Sequence, residues 1–365
     1  MENLNKYLEE VVDLRQEKKV KHKMSDIIML VFMANLANAN EWVEIEIFGK
    51  EHELFLRGHL ELPNGIPSHD TIQRMLAMVS PEYLQGFRQR WQELLNSGDG
   101  EKIRKLLSFD GKTQRGNGNK RQKANHIVSA VDEDGFCVGE KLVDEKSNEI
   151  TAIPELLNVK GQIITIDAMG TQKGIAKTIR KKGADYVLSL KKNHGCLYED
   201  AEMYFSDPHL LSKCAHTKAV EKARGGMETR EYWQTDDVTW LCGKKEWAGL
   251  STIAMTRNTT VKDGKETTDE RYFLSSLPLG VKEIARAIRG HWMVESYHWH
   301  LDVTFREDAN HTLEKQSAFN LNIMRKLALN VLKIIEAGEK KLSLAKKRFK
   351  IGTNPEKHLE RILAF

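Results

Sequence analysis

The chain has 365 residues, 40% hydrophobic and 30% charged. That balance excludes a disordered segment, and the length exceeds what one modest core needs, so two or three packed units are expected. Fifty-six basic against fifty-two acidic residues leave a net charge of only +4, so a polyanion partner would have to be met by local clusters.

The opening residues Met1-Glu2-Asn3-Leu4-Asn5 lack the basic-then-apolar pattern of an export signal. The longest apolar stretch, Ile27 to Ala39, holds two asparagines and is short of the roughly 20 residues of a membrane span, so it reads as a buried helix. Four cysteines, Cys137, Cys196, Cys214 and Cys242, stand far apart with no C-x-x-C pair. This argues against a zinc ribbon or a disulfide framework and fits a reducing cytoplasm.

From Lys6 to about Gly100 the apolar spacing is helical, with Ser68 placed as an N-cap after the Pro63-Asn64-Gly65 turn and Ser80-Pro81-Glu82 opening a further helix. Residues 1–100 therefore read as a helical domain, a candidate DNA-binding unit of helix-turn-helix type or any other small helical domain. At Asn96-Ser97-Gly98-Asp99-Gly100 the composition turns to linker. Strands are expected at Lys105 to Asp110, His126 to Val131, Phe136 to Leu142, Gln162 to Asp167 and Ala184 to Leu190, and helices at Asn148 to Leu157 and Thr171 to Lys182. Asp132-Glu133-Asp134-Gly135 signals a hairpin. Three strands followed by two crossover units is the order of an RNase H-like domain, spanning 101–194 and resuming at 281–337. Between them, 195–280 reads as a β-rich insertion, with strands at Arg230 to Trp233, Val238 to Leu241 and Tyr272 to Leu274. Residues 338–365 form a basic tail with six cations between Lys340 and Lys350.

Two of the expected strands end in aspartate, Asp110 and Asp167, which lie 57 residues apart. An acid at a strand end projects into the crevice where open α/β sheets bind ligands. A helical run, His291-Trp292-Met293-Val294-Glu295, adds a third carboxylate 128 residues later, a gap long enough for the insertion. Three hard-oxygen donors of this kind can fix two divalent ions about 3.5 to 4 Å apart for phosphoryl transfer. His291, Glu295, His298 and Asp302 share one helix face, with Trp292, Trp299 and Val303 on an adjacent apolar one. Cations next to the first acid, Lys112, Arg115, Lys120, Arg121 and Lys123, surround a Gly116-Asn117-Gly118-Asn119 run that reads as a flexible loop able to hold a phosphate backbone. Lys191 and Lys192 after the fifth strand, with His291 and His298, complete the expected DNA-contacting set. Other chemistries fail on detail. Gly111-Lys112-Thr113 has Leu106 where a P-loop needs glycine, and neither H-E-x-x-H nor G-x-S-x-G occurs.

At these residues the chain resembles bacterial insertion-sequence transposases of the H-repeat-associated kind, within the DDE superfamily. The resemblance is carried by Ser108-Phe109-Asp110-Gly111-Lys112-Thr113, by Asp144 through Leu157, by Thr165-Ile166-Asp167-Ala168-Met169-Gly170-Thr171-Gln172, by Ile288-Arg289-Gly290-His291-Trp292 running on through Leu301-Asp302-Val303 and Glu307-Asp308, and by Gly65 through Thr71. It covers nearly the whole chain. It implies an RNase H-like core with a β insertion, and Asp110, Asp167 and Glu295 as a triad binding two Mg²⁺ or Mn²⁺ ions. It also implies cleavage at the terminal inverted repeats and strand transfer into target DNA by a homodimer in a synaptic complex. A cytoplasmic, nucleoid-associated protein would follow. The chain departs from the wider group at Ile288, His291 and Asp302, which stand where that group has Tyr, Arg and Lys, so those roles do not carry over. It has one residue fewer between Glu295 and the His298-Trp299 pair, and it reads Arg224-Gly225-Gly226-Met227 before Glu228 where relatives often have His-Gly-Arg. An inactive DNA-binding remnant and a host nuclease without strand transfer remain the alternatives.

Overall fold

A computed structural model describes residues 2–13, 15–16, 20–95, 105–143, 159–223, 226–335 and 342–364. The helix expected at Asn148 to Leu157 lies outside the described residues. The chain divides into two compact units, one formed by Met1–Glu101, Lys112–Ile127 and Tyr297–Phe365, the other by Lys102–Gly111 and Val128–Ser296. Among the described residues no helix is long and apolar enough to cross a membrane.

The first unit is helical. Met24–Leu36 is apolar on all sides and buried almost throughout, which is how a helix reads when it sits inside a core. Around it come Trp42–Glu51, His69–Met78, Pro81–Leu95 and, from the other end of the chain, Lys315–Ile334. The last of these is buried from Ser317 to Leu332 even though it carries three asparagines, an arginine and a lysine. Buried polar groups need partners, and several are found at neighbouring helix ends. Asn320 Nδ2 donates to the carbonyl oxygens of Leu76 and Val79 at 2.7 and 2.8 Å, where the His69–Met78 helix terminates.

The basic C-terminal stretch is folded into helices Leu344–Thr353 and Pro355–Leu363, contrary to its reading as a tail. Lys347 donates to the carbonyl oxygens of Leu332 and Ile335 at 2.8 and 2.6 Å. Arg348 is fully buried and donates to the Asn35 carbonyl oxygen at 2.7 and 3.0 Å and to Asn40 Oδ1 at 3.0 Å. Its charge serves the core.

A second correction concerns the run after Asp110. The strand does not end there but continues to Thr113, and the glycine-rich segment is pinned rather than flexible. Asn117 is buried, donates to Gln114 Oε1 at 3.0 Å and accepts from the Asn125 amide at 2.9 Å. A Cβ on Gly116 would come within 2.3 Å of the Asn310 carbonyl oxygen, and one on Gly118 within 2.9 Å of Ala124. These glycines permit close backbone approach, a use of glycine distinct from loop freedom.

The second unit is built on a sheet. Strands β1 (Leu106–Thr113), β2 (His126–Asp132), β3 (Cys137–Val143), β4 (Ile163–Ile166), β5 (Asp185–Leu190), β6 (Ala215–Ala223), β7 (Gly226–Thr235), β8 (Thr252–Lys262) and β9 (Lys265–Ser275) run in the order β3-β2-β1-β4-β5-β9-β8-β7-β6. β1, β4 and β5 are parallel, while β5 to β6 are joined through antiparallel pairs. The fold is therefore a helical N-terminal region followed by a mixed-sheet domain. β4 is buried along its length, β5 at every position but Ser189, and β1 from Leu106 to Phe109, as strands covered on both faces are. The segment after Gly195 opens with two helices, Cys196–Ser206 and Pro208–Lys213, before any strand appears, and Val238 to Leu241 forms no strand. The β8–β9 hairpin turns on Asp263 and Gly264, both at positive φ, the backbone a two-residue Asp-Gly turn requires.

Cys196 and Cys242, 46 residues apart, are joined by a disulfide, while Cys137 and Cys214 are free thiols. Short cysteine spacings could not reveal this bridge because the fold, not the local sequence, brings its ends together.

Within the helical unit, Lys112 sits in a cage of three carboxylates, at 2.7 Å from Asp302, 2.8 Å from Glu307 and 3.2 Å from Asp308. Burial pushes the Glu307 carboxyl up, but the Lys112 and Arg325 charges and hydrogen bonds from Lys112 and Asn322 outweigh it, holding the group at about 2. Because the folded value lies below the ordinary one of 4.5, this ionisation stabilises the fold above about pH 4.5 and is lost as pH falls toward 2. The contribution is about 3 kcal/mol. Melting temperature should drop between pH 5 and pH 3 more steeply in the wild type than in Glu307→Gln, measured by thermal unfolding across that range.

Candidate active site

Asp110 and Asp167 come from adjacent parallel strands in the sheet unit. β1 and β4 are paired with Phe109 opposite Ile166, so the residue after each is an acid: Asp110 lies within β1, which runs on to Thr113, and Asp167 directly follows the end of β4. The neighbouring pair, Leu107 opposite Ile164, is buried apolar, which anchors the backbone from which the acids project. Asp167 is held by the turn it begins. Its Oδ1 accepts from the amides of Met169 and Gly170 at 3.0 and 3.1 Å, and its carbonyl oxygen accepts from Thr171 Oγ1 at 3.0 Å. Among the described residues its Oδ2 accepts no hydrogen bond. Asp110 Oδ1 accepts from the Gly111 amide at 2.9 Å.

Glu295 is exposed on the helix Val281–Val303. That helix approaches β1 closely because position 290 is glycine: a Cβ there would stand 2.1 Å from Leu106 Cδ2. Ile284, Ala287 and Ile288 of the same helix pack with Leu106, Ile163 and Val187 of the three parallel strands. All three acids line one cavity of about 1140 Å³.

The cavity carries cations the sequence reading foresaw and others it did not. Lys191 and Lys192 line it, both exposed, and so does His291. Arg230, Arg271 and Arg289 line it too. Arg230 is paired with Glu221 and Glu228 at 2.8 and 2.7 Å, and Arg271 with Asp269 at 2.8 Å. Lys191, Lys192 and Arg289 make no salt bridge among the described residues. The period-2 alternation in β7 to β9, which puts Glu228, Arg230 and Tyr232 on one face with Asn258 and Arg271, was the available signal for Arg230 and Arg271. Trp292, on the rim, is 41% exposed with the Arg271 guanidinium 5.3 Å from its ring centre.

Other expected contacts lie elsewhere. Lys112 belongs to the helical unit, with its side chain only 11% exposed inside the carboxylate cage, so its charge is consumed there and the phosphate contact expected of it is corrected. His298, also in that unit, is buried at 8% exposure, which corrects its placement on a DNA-facing row. Arg115, Lys120, Arg121 and Lys123 are exposed but do not line this cavity.

The donor set suits a hard divalent cation in kind, since Mg²⁺ and Mn²⁺ take carboxylate oxygens, and three such groups share one cavity. Among the described residues, however, no three His, Cys, Asp or Glu side chains are already clustered tightly enough to hold an ion.

The sequence pattern described as "Transposase DDE domain" matches residues 99–331. The chain belongs to the DDE transposase family. The DDE_Tnp_1-associated pattern matches residues 5–92, the helical region that precedes it. The chain is 38% identical over its whole length to "Putative transposase YncI" of Escherichia coli O157:H7, covering 95% of that protein. It is 36% identical to "H repeat-associated putative transposase YhhI" of Escherichia coli strain K12, over 93% of each chain. A shorter K12 relative, "Inactive transposase YbfQ", is 40% identical over 77 residues, or 21% of this chain and 92% of that one. The close approach at Gly290 matters to this cavity, because it positions the helix that bears Glu295.

Gly290→Ala should cost about 1–3 kcal/mol through overpacking, and Leu106→Ala introduced with it should recover part of that loss, because the pair then shares the space. A double-mutant cycle read by chemical denaturation checks the coupling; strictly additive effects would contradict it.

Proposed function

We propose that this chain is a DNA transposase that cuts at the ends of a mobile element and joins the freed 3′ ends to target DNA, using Asp110, Asp167 and Glu295 as its acidic triad. One observation carries the reading: these three acids, distant in sequence, line one cavity together with Lys191, Lys192 and Arg289. The sheet order β3-β2-β1-β4-β5 with β1, β4 and β5 parallel supports an RNase H-like core. When bound by the three carboxylates, Mg²⁺ or Mn²⁺ ions would supply positive charge to the attacking and leaving oxygens of the phosphodiester.

The chain's own part is to hold DNA and aim it. Lys191, Lys192 and Arg289 grip backbone phosphates on either side of the scissile one, and phosphate contacts of this sort fix register without reading sequence. The turn at Asp167, anchored by two backbone amides, keeps that carboxylate from swinging away when the negative backbone arrives. Acting on two element ends calls for two copies of the active site, hence a homodimer in a synaptic complex. The helical region at residues 1–100 and the exposed Arg115, Lys120, Arg121 and Lys123 are further candidate DNA contacts.

The test uses the full chain with duplex DNA copied from the sequences flanking its coding region, in Mg²⁺ or Mn²⁺. Asp110→Asn, Asp167→Asn and Glu295→Gln should each lower nicking at least about a hundredfold, equivalent to about 2.7 kcal/mol, while gel-shift affinity stays unchanged. Lys191→Ala with Lys192→Ala should instead weaken binding and flatten the salt dependence of log K by about 1.8, the slope expected for two lost phosphate contacts. Sustained binding with no nicking by the wild type would mark an inactive DNA binder, and nicks without joined products a nuclease.

A further inference from the structure

The candidate active site shares part of its wall with a second, smaller cavity, and Asn193 lines both. The smaller one, about 500 Å³, is bounded by three segments: the start of the helix Lys173–Lys181, the turn from Asn193 to Leu197, and the loop from Cys242 to Trp247. Each pair of segments is tied. Lys173 pairs with Glu246 at 2.5 Å, His194 Nε2 donates to the Thr171 carbonyl oxygen at 3.1 Å, and the Cys196–Cys242 disulfide closes the third side. The Cys242 amide also donates to Asp200 Oδ2 at 2.7 Å, one turn along the helix that Cys196 begins. The lysine and glutamate side chains are 53% and 58% exposed, and an ion pair so exposed contributes little. The disulfide is the strong member of the set.

This bridge bears on the wall of the larger cavity. Lys191 and Lys192, which line that cavity, lie shortly before Cys196 in the chain. Their turn is anchored upstream by β5, which ends at Leu190, and downstream by the disulfide. His194 connects the same turn to an acid of the triad: its Nδ1 meets the Lys191 amide at 3.1 Å, and Thr171, which its Nε2 reaches, has its hydroxyl 3.0 Å from the Asp167 carbonyl oxygen. Both bridged cysteines are exposed. Thiol–disulfide exchange needs a thiolate to reach a bridge sulfur, and exposed bridges are the labile ones; one in the wall of an open cavity is within reach of a small thiol. The other two cysteines are placed differently. Cys137 is buried, and burial pushes the Cys214 thiol up to about 11, which keeps Cys214 from acting as a thiolate near neutral pH.

We propose that Cys196 and Cys242 form a thiol–disulfide exchange site through which low-molecular-weight thiols set the DNA affinity of the larger cavity. Joined, they hold Lys191 and Lys192 at its wall; separated, they leave the lysine turn fixed at one end only. The proposal rests on the transposase reading, which makes those lysines phosphate contacts. Exchange takes two steps. A thiolate RS⁻ attacks one bridge sulfur, forming a mixed disulfide and expelling the other cysteine as a thiolate. A second RS⁻ attacks the R-bearing sulfur of the mixed disulfide, releasing RSSR and the remaining cysteine. Two RSH are thereby oxidised to RSSR, the bridge takes their two electrons, and the two protons end on the cysteines. The low-molecular-weight disulfide RSSR drives the same sequence backwards. Disulfides in a reducing compartment are usually transient and redox-sensing, so an oxidising shift in the thiol pool would tighten the grip on DNA and a reducing one would loosen it.

Three measurements on the full chain test it. The first needs no DNA. In native buffer, brief dithiothreitol treatment followed by N-ethylmaleimide should label Cys196 and Cys242, mapped by peptide mass spectrometry, and glutathione disulfide should restore the bridge. A pair that reacts only in denaturant is a structural bridge, and the proposal fails; it fails equally if both thiols stay open to labelling after glutathione disulfide. The second is gel-shift affinity for the flanking duplex. Reduction should weaken binding at least about fivefold, the lower end of coupling between two sites, and flatten the salt dependence of log K by up to about 1.8, as for two phosphate contacts. Cys242→Ser should bind like the reduced wild type and ignore dithiothreitol, with Cys196→Ser in its place if that variant does not fold. In the Lys191→Ala, Lys192→Ala background, reduction should change affinity by less than about twofold, because the coupled contacts are gone. Equal affinity of the oxidised and reduced wild type overturns the control of binding. The third uses the reciprocity of coupling: saturating duplex should raise the ratio of squared glutathione to glutathione disulfide needed for half reduction by the same factor that reduction costs in affinity. An unmoved ratio also overturns the proposal. If exchange proceeds in the first measurement but neither form binds the duplex, the transposase reading falls and the control of DNA binding with it, whereas binding without exchange removes the proposal and leaves that reading in place.

Discussion

Three carboxylates from distant points of the sequence line one cavity of the sheet unit, and its architecture brings them there. Two devices do it. Parallel pairing of β1 and β4 fixes Asp110 and Asp167 as neighbours by register, since the residues before them, Phe109 and Ile166, are opposite one another. The third acid, Glu295, does not come from a strand of the sheet. It arrives on a helix, and the helix can come close only where a glycine faces Leu106. The apolar contacts of Ile284, Ala287 and Ile288 with the parallel strands then supply the burial energy that holds the helix against the sheet, at roughly 25 cal/mol per Å² of apolar surface removed from water.

The helical unit handles charge in the opposite way, by enclosing it. Lys112 is surrounded by Asp302, Glu307 and Asp308, and the surplus of negative charge in that cage is met by Arg325, which lowers the Glu307 carboxyl as well. Burial pushes the Arg348 guanidinium down to about 9, with Arg325 adding to the effect, and it donates to carbonyl and amide oxygens. Removing one member of such a network leaves another charge buried and uncompensated, which costs more than the intact pair contributes. The core of this unit is therefore specified by polar pairing along the Lys315–Ile334 helix to a degree that apolar patterning alone would not achieve.

Much of the sheet unit was legible because its signals are local. Five strand segments, the Asp132 to Gly135 hairpin and the long helix carrying Glu295 follow from alternation, turn residues and helical spacing. Asp110 and Asp167 were legible as acids at these strands for the same reason, although β1 runs on past Asp110 to Thr113. Long-range partners were not. Nothing near Lys112 in sequence announces Glu307, nearly 200 residues on, so a lysine beside a candidate catalytic acid read as a phosphate contact. His298 shares a helix face with Glu295 when the spacing is counted, yet burial is set by what packs against that helix, which spacing does not contain. The glycines at 116 and 118 gave the composition of a loop and the function of a packing surface. Cys196 and Cys242 failed as a disulfide signal on the same ground, being joined by a fold rather than by a motif.

The distribution of cations explains how a chain of net charge +4 can still be read as a DNA-handling protein. A count of lysines and arginines treats Arg348, Lys112 and Lys191 alike, but only the last faces solvent without a carboxylate beside it. Arg230 and Arg271 line the cavity with acids attached, so their charge reaches a phosphate only if DNA displaces Glu221, Glu228 or Asp269. Lys191 and Lys192 make no salt bridge among the described residues, while Arg289 stands near enough to Glu221 to help lower its carboxyl. Screening in salt of physiological strength limits a charge to about 8 Å, so on the proposed reading these three would act on the DNA backbone segment entering the cavity and on little else. Attraction confined to the site in this way favours placement of one phosphate over general adhesion, and it puts the weight of partner choice on other contacts, with the helical region and the exposed Arg115 to Lys123 segment as the surfaces able to supply them.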